Sequence, residues 1–475
     1  MKRIISALLL VSMLILASCA GDSGNKPDPA ANDTSAQTTE TTETVSTEPE
    51  SYVPDDLDFD GRTFTLLGGD DVFDHYVYST DLTGDSLNDA LYERYQRVGN
   101  QLNIEFDFLG ETSSGAVDKI NNTVLAGDDV YQLAIVQRAT SIGKMVGSKL
   151  LANWNDMPYI NLDTKYWYES ANASLRVGDY VFYTYGDIYP LSAHVMYYNK
   201  DIQAAYKLES PHELVLDGKW TIDKLIELAS AVSADINGDG VMNMYDQWGI
   251  SFGNTDQINS LMYGAGLTLS ERDGDLIKVS PYTDKTLEVF GKVYDLFNTG
   301  NTCYHITLNE LKLTTGRVLF FTGTVHGARN YRDTEIEFGM LPYPKYNEAQ
   351  ENYISFLNTE LMCIPTIADK EFAGAVIQLM AEESGDVHTA YYDYLLKEKV
   401  ARDPESKEVL DIIFGNAIND FVISYCGYLT NQKQMYNITS TLVRSGSSDY
   451  VSSYEKYAEG LQAEIDEVLE MIYSN

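Results

Sequence analysis

The stretch Thr63-Phe64-Thr65-Leu66-Leu67-Gly68-Gly69-Asp70-Asp71 reads as a short strand that stops in a glycine- and acid-rich turn. Leu87, Leu91, Tyr95 and Val98 then recur at helical spacing, which predicts a helix over 86–101. Asn103-Ile104-Glu105-Phe106-Asp107-Phe108 returns as a second strand, a further helix is expected over 115–126, and 131–136 reads as a third strand. Strands separated by a dozen or more residues of helix are not hairpins but parallel strands joined by crossovers, so the fold class is α/β. The alternation continues downstream. Trp220-Thr221-Ile222-Asp223 looks like a helix start, with Thr221 as N-cap and Asp223 in the first turn, and Ile222, Leu225, Ile226 and Ala229 follow on one face. Near the C-terminus Tyr454, Tyr457, Leu461, Ile465, Val468, Leu469 and Ile472 fall at steps of three and four. That spacing predicts a long amphipathic helix packed on protein rather than membrane.

Upstream of the first strand the chain has another character. Lys2 and Arg3 precede an apolar run over 4–16, the length of a signal-peptide core and too short to span a bilayer. The run ends in Leu16-Ala17-Ser18-Cys19, which resembles the bacterial lipobox. That resemblance implies acylation of Cys19 and a lipid tether outside the cell; the alternative is an ordinary secretory signal with an incidental cysteine. Residues 20–52 are Thr, Ser, Glu, Asp, Pro, Ala and Gly with almost nothing to bury, and are expected to form a disordered stalk.

About 420 residues follow, too many for one core, and two lobes are expected. The net charge of −38, from 71 Asp plus Glu against 33 Lys plus Arg, with no basic cluster, argues against a nucleic-acid partner. Cys303, Cys363 and Cys426 sit among apolar or aromatic neighbours without a CxxC pair, and read as buried free thiols rather than a disulfide framework, with a single bridge as the alternative. The 35 Tyr, 16 Phe and 4 Trp suit sugar faces, though tyrosines also fill cores, so the count alone decides nothing.

Several stretches, in order along residues 60–475, resemble the extracellular solute-binding proteins of the maltose-binding type. Gly84-Asp85-Ser86-Leu87-Asn88-Asp89-Ala90-Leu91-Tyr92-Glu93-Arg94 is similar to the first helix of larger clostridial-type members. Val195-Met196-Tyr197-Tyr198-Asn199-Lys200-Asp201 resembles the strand entering the second lobe, with Pro211 and Trp220-Thr221 after it. Phe338-Gly339-Met340-Leu341-Pro342-Tyr343-Pro344-Lys345 resembles the return crossing to the first lobe. Ala401-Arg402-Asp403-Pro404-Glu405-Ser406, leading into Leu410-Asp411-Ile412-Ile413, resembles the late helical region. The resemblance implies a periplasmic-binding-protein-like fold of type II, two α/β lobes joined by hinge strands and closing on a ligand between them. It places lobe one at 53–193 plus 340–384 and lobe two at 194–339 plus 385–475. It also implies a carbohydrate ligand, mono- or oligosaccharide, delivery to the permease subunits of an ABC transporter, and a monomer. One departure is Val325-His326 after Val318-Leu319-Phe320-Phe321-Thr322-Gly323-Thr324, where many sugar binders carry an aromatic; it argues against a long stacked maltodextrin.

Ligands of open α/β sheets bind beyond the carboxyl ends of the strands. That rule nominates Gly69, Asp70, Asp71, Gln137, Arg138, Tyr185, Asp187, Tyr189, Asn254, Asp256, Thr324, His326 and Arg329. Carboxylates and amides take sugar hydroxyls, and Tyr, Trp167 or Trp220 can stack on a ring, although core anchoring is the better reading of Trp154, Trp167 and Trp220. A separate loop places Asp235, Asn237, Asp239, the Val241 carbonyl, Asn243 and Asp246 at the spacing that wraps a calcium ion, with Gly240 at the sharp turn. Asp246 stands where the closing residue is usually Glu; the alternative is a polar Asx/Gly turn holding no metal. The histidines 75, 194, 212, 305, 326 and 388 do not cluster in sequence, and no HExxH, Gly-x-Ser-x-Gly or phosphate loop is found. A binding protein rather than an enzyme is therefore expected. A surface-anchored glycoside-processing enzyme and a ligand-sensing receptor component are the alternatives.

Overall fold

The structure, a computed structural model, describes residues 51–69, 76–137, 143, 145–274, 276–331, 334–357, 360–397, 404–425 and 430–474. Cys19, Asp70, Asp71, Arg138, Cys426, the signal segment and most of the stalk lie outside the described residues. Nine strands form the two main sheets: β1 (Arg62–Gly68), β2 (Ile104–Gly110), β3 (Leu133–Val136), β4 (His194–Asn199), β5 (Trp248–Ser251), β6 (Cys303–Tyr304), β7 (Val318–Thr324), β8 (Phe338–Leu341) and β9 (Leu361–Cys363).

The first sheet has the order β9-β3-β1-β2. β1 runs parallel to β2, with Phe64 opposite Phe106, and parallel to β3, with Leu66 opposite Leu133. β9 lies antiparallel on β3, and Thr184 bridges Met362 on its far side. The second sheet has the order β8-β4-β7-β5-β6. There β5 is parallel to β6 and β7, while β4 is antiparallel to both β7 and β8. The two sheets share one plan. A first strand is flanked by the second and third, and an antiparallel strand follows the third. In each lobe that antiparallel strand is supplied as the chain arrives from the other one: β4 comes directly from the first lobe and β9 returns after β8 of the second. Exchange of strands between two crossover-built sheets is the two-lobed periplasmic-binding-protein architecture of type II.

Local chemistry accounts for the crossover helices. Asp85 caps the helix Ser86–Leu102 by accepting from the backbone N–H groups of Leu87 and Asn88, and Asn103, at φ 50°, ends it. Leu87, Leu91, Tyr95 and Val98 are buried, as their spacing requires. Thr221 caps Ile222–Val232 by accepting from Lys224 N–H. This helix lies directly on β5, because a Cβ on Gly249 would come within 2.2 Å of the Ala229 carbonyl oxygen. The last helix, Tyr450–Tyr473, buries Leu461, Ile465, Val468, Leu469 and Ile472.

Three boundaries differ from the expectation. Ordered structure starts before Val53: Ser51 Oγ donates to Glu382 at 2.6 Å and Tyr52 N–H to the same carboxylate at 3.0 Å, so two stalk residues belong to the fold. The motif at 338–345 does not return to the first lobe, since all of β8 pairs with β4; the return comes at β9. The helix Gly385–Lys397 packs on Ser86–Leu102, the first lobe, where Arg97 pairs with Glu383 at 2.5 Å and with Asp386 at 3.5 Å. The chain therefore crosses to the second lobe for the last time after that helix.

Candidate functional site

The carboxyl end of β7 and the segment after Thr184 bring both lobes to one place. Tyr76 from the first lobe stacks on His326, which follows β7, with ring centroids 4.0 Å apart and planes 12° apart. Tyr189 and Tyr391 each meet the same imidazole edge-on at 5.7 Å, and the Arg329 guanidinium lies 5.7 Å over the Tyr76 ring. The backbone fixes this arrangement. Val325 N–H donates to the Ala193 carbonyl at 3.0 Å, and His326 N–H donates to Ser192 Oγ at 3.2 Å. Burial, with the Arg329 charge beside it, lowers the His326 pKa to about 3 against a hydrogen bond to the Pro190 carbonyl, so the ring is neutral at physiological pH. Among the described residues neither His326 Nε2 nor Arg329 Nη1 has a hydrogen-bond partner. Buried polar atoms are seldom left so, and two of them at an interlobe contact mark a place for ligand or ordered water.

Beside this contact lies a cavity of about 860 Å³. The first lobe lines it with Asp163, Lys165, Trp167, Tyr168, Glu169 and Arg176, and Phe414 faces them from the helix Pro404–Gly415, which packs on the second sheet. Trp167 is held by a close approach: a Cβ on Gly186 would lie 2.4 Å from the indole. Trp154 supports it edge-on at 5.5 Å. The Trp167 Nε1 donor is buried without a partner among the described residues. Tyr168 donates a short hydrogen bond to Asp187. Burial raises the Asp187 pKa, opposed by that bond and by the charges of His388, Arg94 and Lys165. A smaller hollow of about 50 Å³ shares Tyr168, Leu191 and Phe414 with the cavity and Tyr391 with the stacked contact. An aromatic floor with charged and hydroxyl-bearing walls can grip a flat polar ligand by its faces and its edges.

The nominated residues among those described fall into four groups. Tyr189, Thr324, His326 and Arg329 come together; Tyr189 donates to Glu360 at 2.8 Å and Thr324 Oγ1 accepts from Gly327 N–H at 3.1 Å. Asp187 borders the large cavity through Tyr168, whereas Tyr185 is buried in the hinge, its hydroxyl accepting from Asn419 Nδ2 at 2.8 Å. Gly69 and Gln137 directly follow β1 and β3 in the first lobe. Asn254 caps the helix Thr255–Gly264, and Asp256 accepts from Tyr436 at 2.9 Å. Sequence reasoning missed Tyr76, Tyr391, Lys165, Arg176 and Phe414. The signals for them are weak: 162–176 is irregular, and no periodicity separates Tyr76 or Tyr391 from a core tyrosine. Trp154 and Trp220 are core residues, as read; Trp167 is buried too, yet it lines the cavity. Cys303 and Cys363 are buried free thiols whose pKa burial pushes up.

The loop at 235–246 folds on itself. Asp235 accepts from Gly238 N–H at 2.7 Å and Gly240 N–H at 2.8 Å, which lowers its pKa. Asn237 accepts from Asp239 N–H and Asp239 from Val241 N–H, both at 2.8 Å. Asp246 accepts from Ile236 N–H at 3.2 Å and Asn243 N–H at 2.9 Å. Gly238 and Gly240, at φ 73° and 82°, supply the turn that side chains resist. Among the described residues no three His, Cys, Asp or Glu side chains converge as a metal site.

No protein-family model matches the chain, and no curated protein matches it by sequence. Solved structures do. An ABC substrate-binding protein from Listeria monocytogenes, in complex with cycloalternan, matches with a TM-score of 0.58 at 12% identity, over 86% of this chain and 100% of its own. A sugar transporter from Rhizobium etli in an open conformation matches with 0.59 at 12%, over 84% and 99%. The maltose-maltodextrin binding protein of Alicyclobacillus acidocaldarius matches with 0.56 at 11%, over 84% and 100%. At these identities the likeness establishes the fold, including both lobes. No described helix is long and apolar enough to cross a membrane.

Proposed function

We propose that this chain is a lipid-anchored substrate-binding protein that captures a carbohydrate between its lobes and hands it to the permease of an ABC transporter. The observation that carries the reading is the cavity of about 860 Å³ lined from both lobes, with Trp167 and Tyr168 beside Asp163, Lys165, Glu169 and Arg176. Rings complement the apolar faces of a pyranose, and the charged groups complement its hydroxyls. The cycloalternan and maltose-maltodextrin binders of the same fold supply the sugar class by analogy. Binding would shift the chain toward its closed form, which a permease or a sensor can read. Calorimetric titration with maltose, maltotriose and a wider glycan panel tests this. One-to-one saturation with the sugar recovered unchanged, lost in Trp167→Ala, supports the reading; a sugar that is hydrolysed supports the glycoside-processing alternative instead.

Two parts of the reading rest on sequence. Cys19 would carry the anchor, and mass spectrometry of the membrane-extracted protein would find an acylated N-terminal cysteine; an N-terminus elsewhere contradicts it. The loop carrying Asp235, Asn237, Asp239, Val241, Asn243 and Asp246 would hold a structural calcium ion on the strength of its ligand spacing, its side chains turning from the loop's own N–H groups to the cation. Trp248 donates to the Asn243 carbonyl at 2.8 Å, close enough to sensitise terbium luminescence. Terbium emission that calcium displaces, and that Asp235→Asn abolishes, is expected; a silent titration overturns the calcium reading.

A further inference from the structure

A second cavity, of about 210 Å³, is walled by second-lobe residues alone: the helix Thr255–Gly264, the hairpin Ser270–Asp273 and Leu276–Val279, and the helices from 430 onward. Asn259 lines it. Its side chain is 3% exposed, and neither Nδ2 nor Oδ1 has a hydrogen-bond partner among the described residues. A buried amide with donor and acceptor both idle is costly, and native proteins keep such groups where something else pairs them. The walls are tyrosines. Tyr263 is fixed by stacking on Phe356 at 4.1 Å, Tyr454 donates to the Ser280 carbonyl at 2.8 Å, and Tyr436 donates to Asp256 at 2.9 Å. With those hydroxyls engaged, Tyr436 and Tyr454 offer mainly ring surface. Glu271 is the one charged side chain among the lining residues.

We propose that this cavity is a second binding site, for a small neutral polyhydroxylated molecule, a monosaccharide or polyol. The amide fits such a ligand better than the alternatives. A pair of neighbouring hydroxyls can accept from Nδ2 and donate to Oδ1 at once, which a hydrocarbon cannot do. An anion would meet Glu271 and no cation. The volume takes one ring, whereas the interlobe cavity is about four times larger (about 860 against about 210 Å³). The bond from Tyr436, on the cavity wall, to Asp256 ties that wall to the first turn of the helix that follows β5.

The test is titration calorimetry on the purified full chain with D-glucose, D-galactose, D-xylose and myo-inositol as separate probes. Four proteins are compared: wild type, Asn259→Leu, Thr268→Trp, which plugs the half-buried rim, and Trp167→Ala. The expected result is saturable binding of at least one probe that survives Trp167→Ala and weakens about tenfold or more in Asn259→Leu, the equivalent of ~1.4 kcal/mol. Thr268→Trp, which leaves the buried amide in place, should lose it as well and guards against misfolding of the first variant. Binding that ignores both variants, or that disappears only with Trp167→Ala, overturns the proposal. So does the absence of binding by any probe, with the cavity then holding water alone. Because Trp167→Ala reads the interlobe site separately, failure of one reading leaves the other standing.

Discussion

His326 makes the stability of the fold depend on pH in a way that one substitution removes. In the unfolded chain its imidazole protonates near 6.5, but in the folded chain, half-buried against Tyr76 and beside Arg329 with its Nε2 shielded from solvent, not until about 3. Between those values the unfolded chain binds the extra proton, so stability falls as pH falls through 6.5 and goes on falling toward 3. Between about pH 7.5 and about pH 5 this one group costs about 2 kcal/mol. Phe at position 326 keeps a ring over Tyr76 and does not titrate. Urea unfolding of wild type and His326→Phe at both pH values isolates the effect, because every other titrating group is common to the two proteins. Wild type should lose about 2 kcal/mol more than the variant on acidification. Equal losses would refute the neutral imidazole at the lobe contact.

Other substitutions probe the supports of the site. Gly249→Ala drives a methyl into the Ala229 carbonyl across the contact of Ile222–Val232 with β5, and should lower stability by about 2 kcal/mol in urea or thermal unfolding; a loss under about 0.5 kcal/mol would mean the helix is not seated there. Arg94 is fully buried and donates to the carbonyls of Val77 and Ile188, to Ser384 and to Tyr95. Arg94→Met strands those acceptors and should cost about 3 kcal/mol, with ligand affinity falling as well because Ile188 lies between Asp187 and Tyr189. A stable variant with unchanged affinity would contradict that linkage.

The fold was legible in sequence wherever one local rule governed. Asp85 and Thr221 as caps, the Leu87-Leu91-Tyr95-Val98 face and the Leu461–Ile472 stripe all needed nothing beyond chain-local chemistry. Lobe limits were less legible because they depend on which sheet a strand joins: Phe338–Leu341 has the same apolar character whether it pairs with β4 or crosses back. The site divided the same way. Thr324, the last residue of β7, and His326 and Arg329 just past it were nominated by the strand-end rule, and they lie together at the lobe contact. Lys165, Trp167 and Arg176 come from an irregular stretch whose place beside Gly186 is set by a tertiary contact. Arg94 shows the limit from the other side: its helix and register were expected, but nothing in spacing says that an arginine on that face will be buried whole.

Thermal unfolding of the protein against a carbohydrate panel tests the central claim most directly, with each sugar analysed afterwards. A sugar that binds the folded chain should add about 2.7 kcal/mol at a hundred times its dissociation constant. The account predicts such a stabilisation by one sugar class, recovered intact, and its loss in Trp167→Ala. Stabilisation by no sugar, or by one that is consumed, would contradict it.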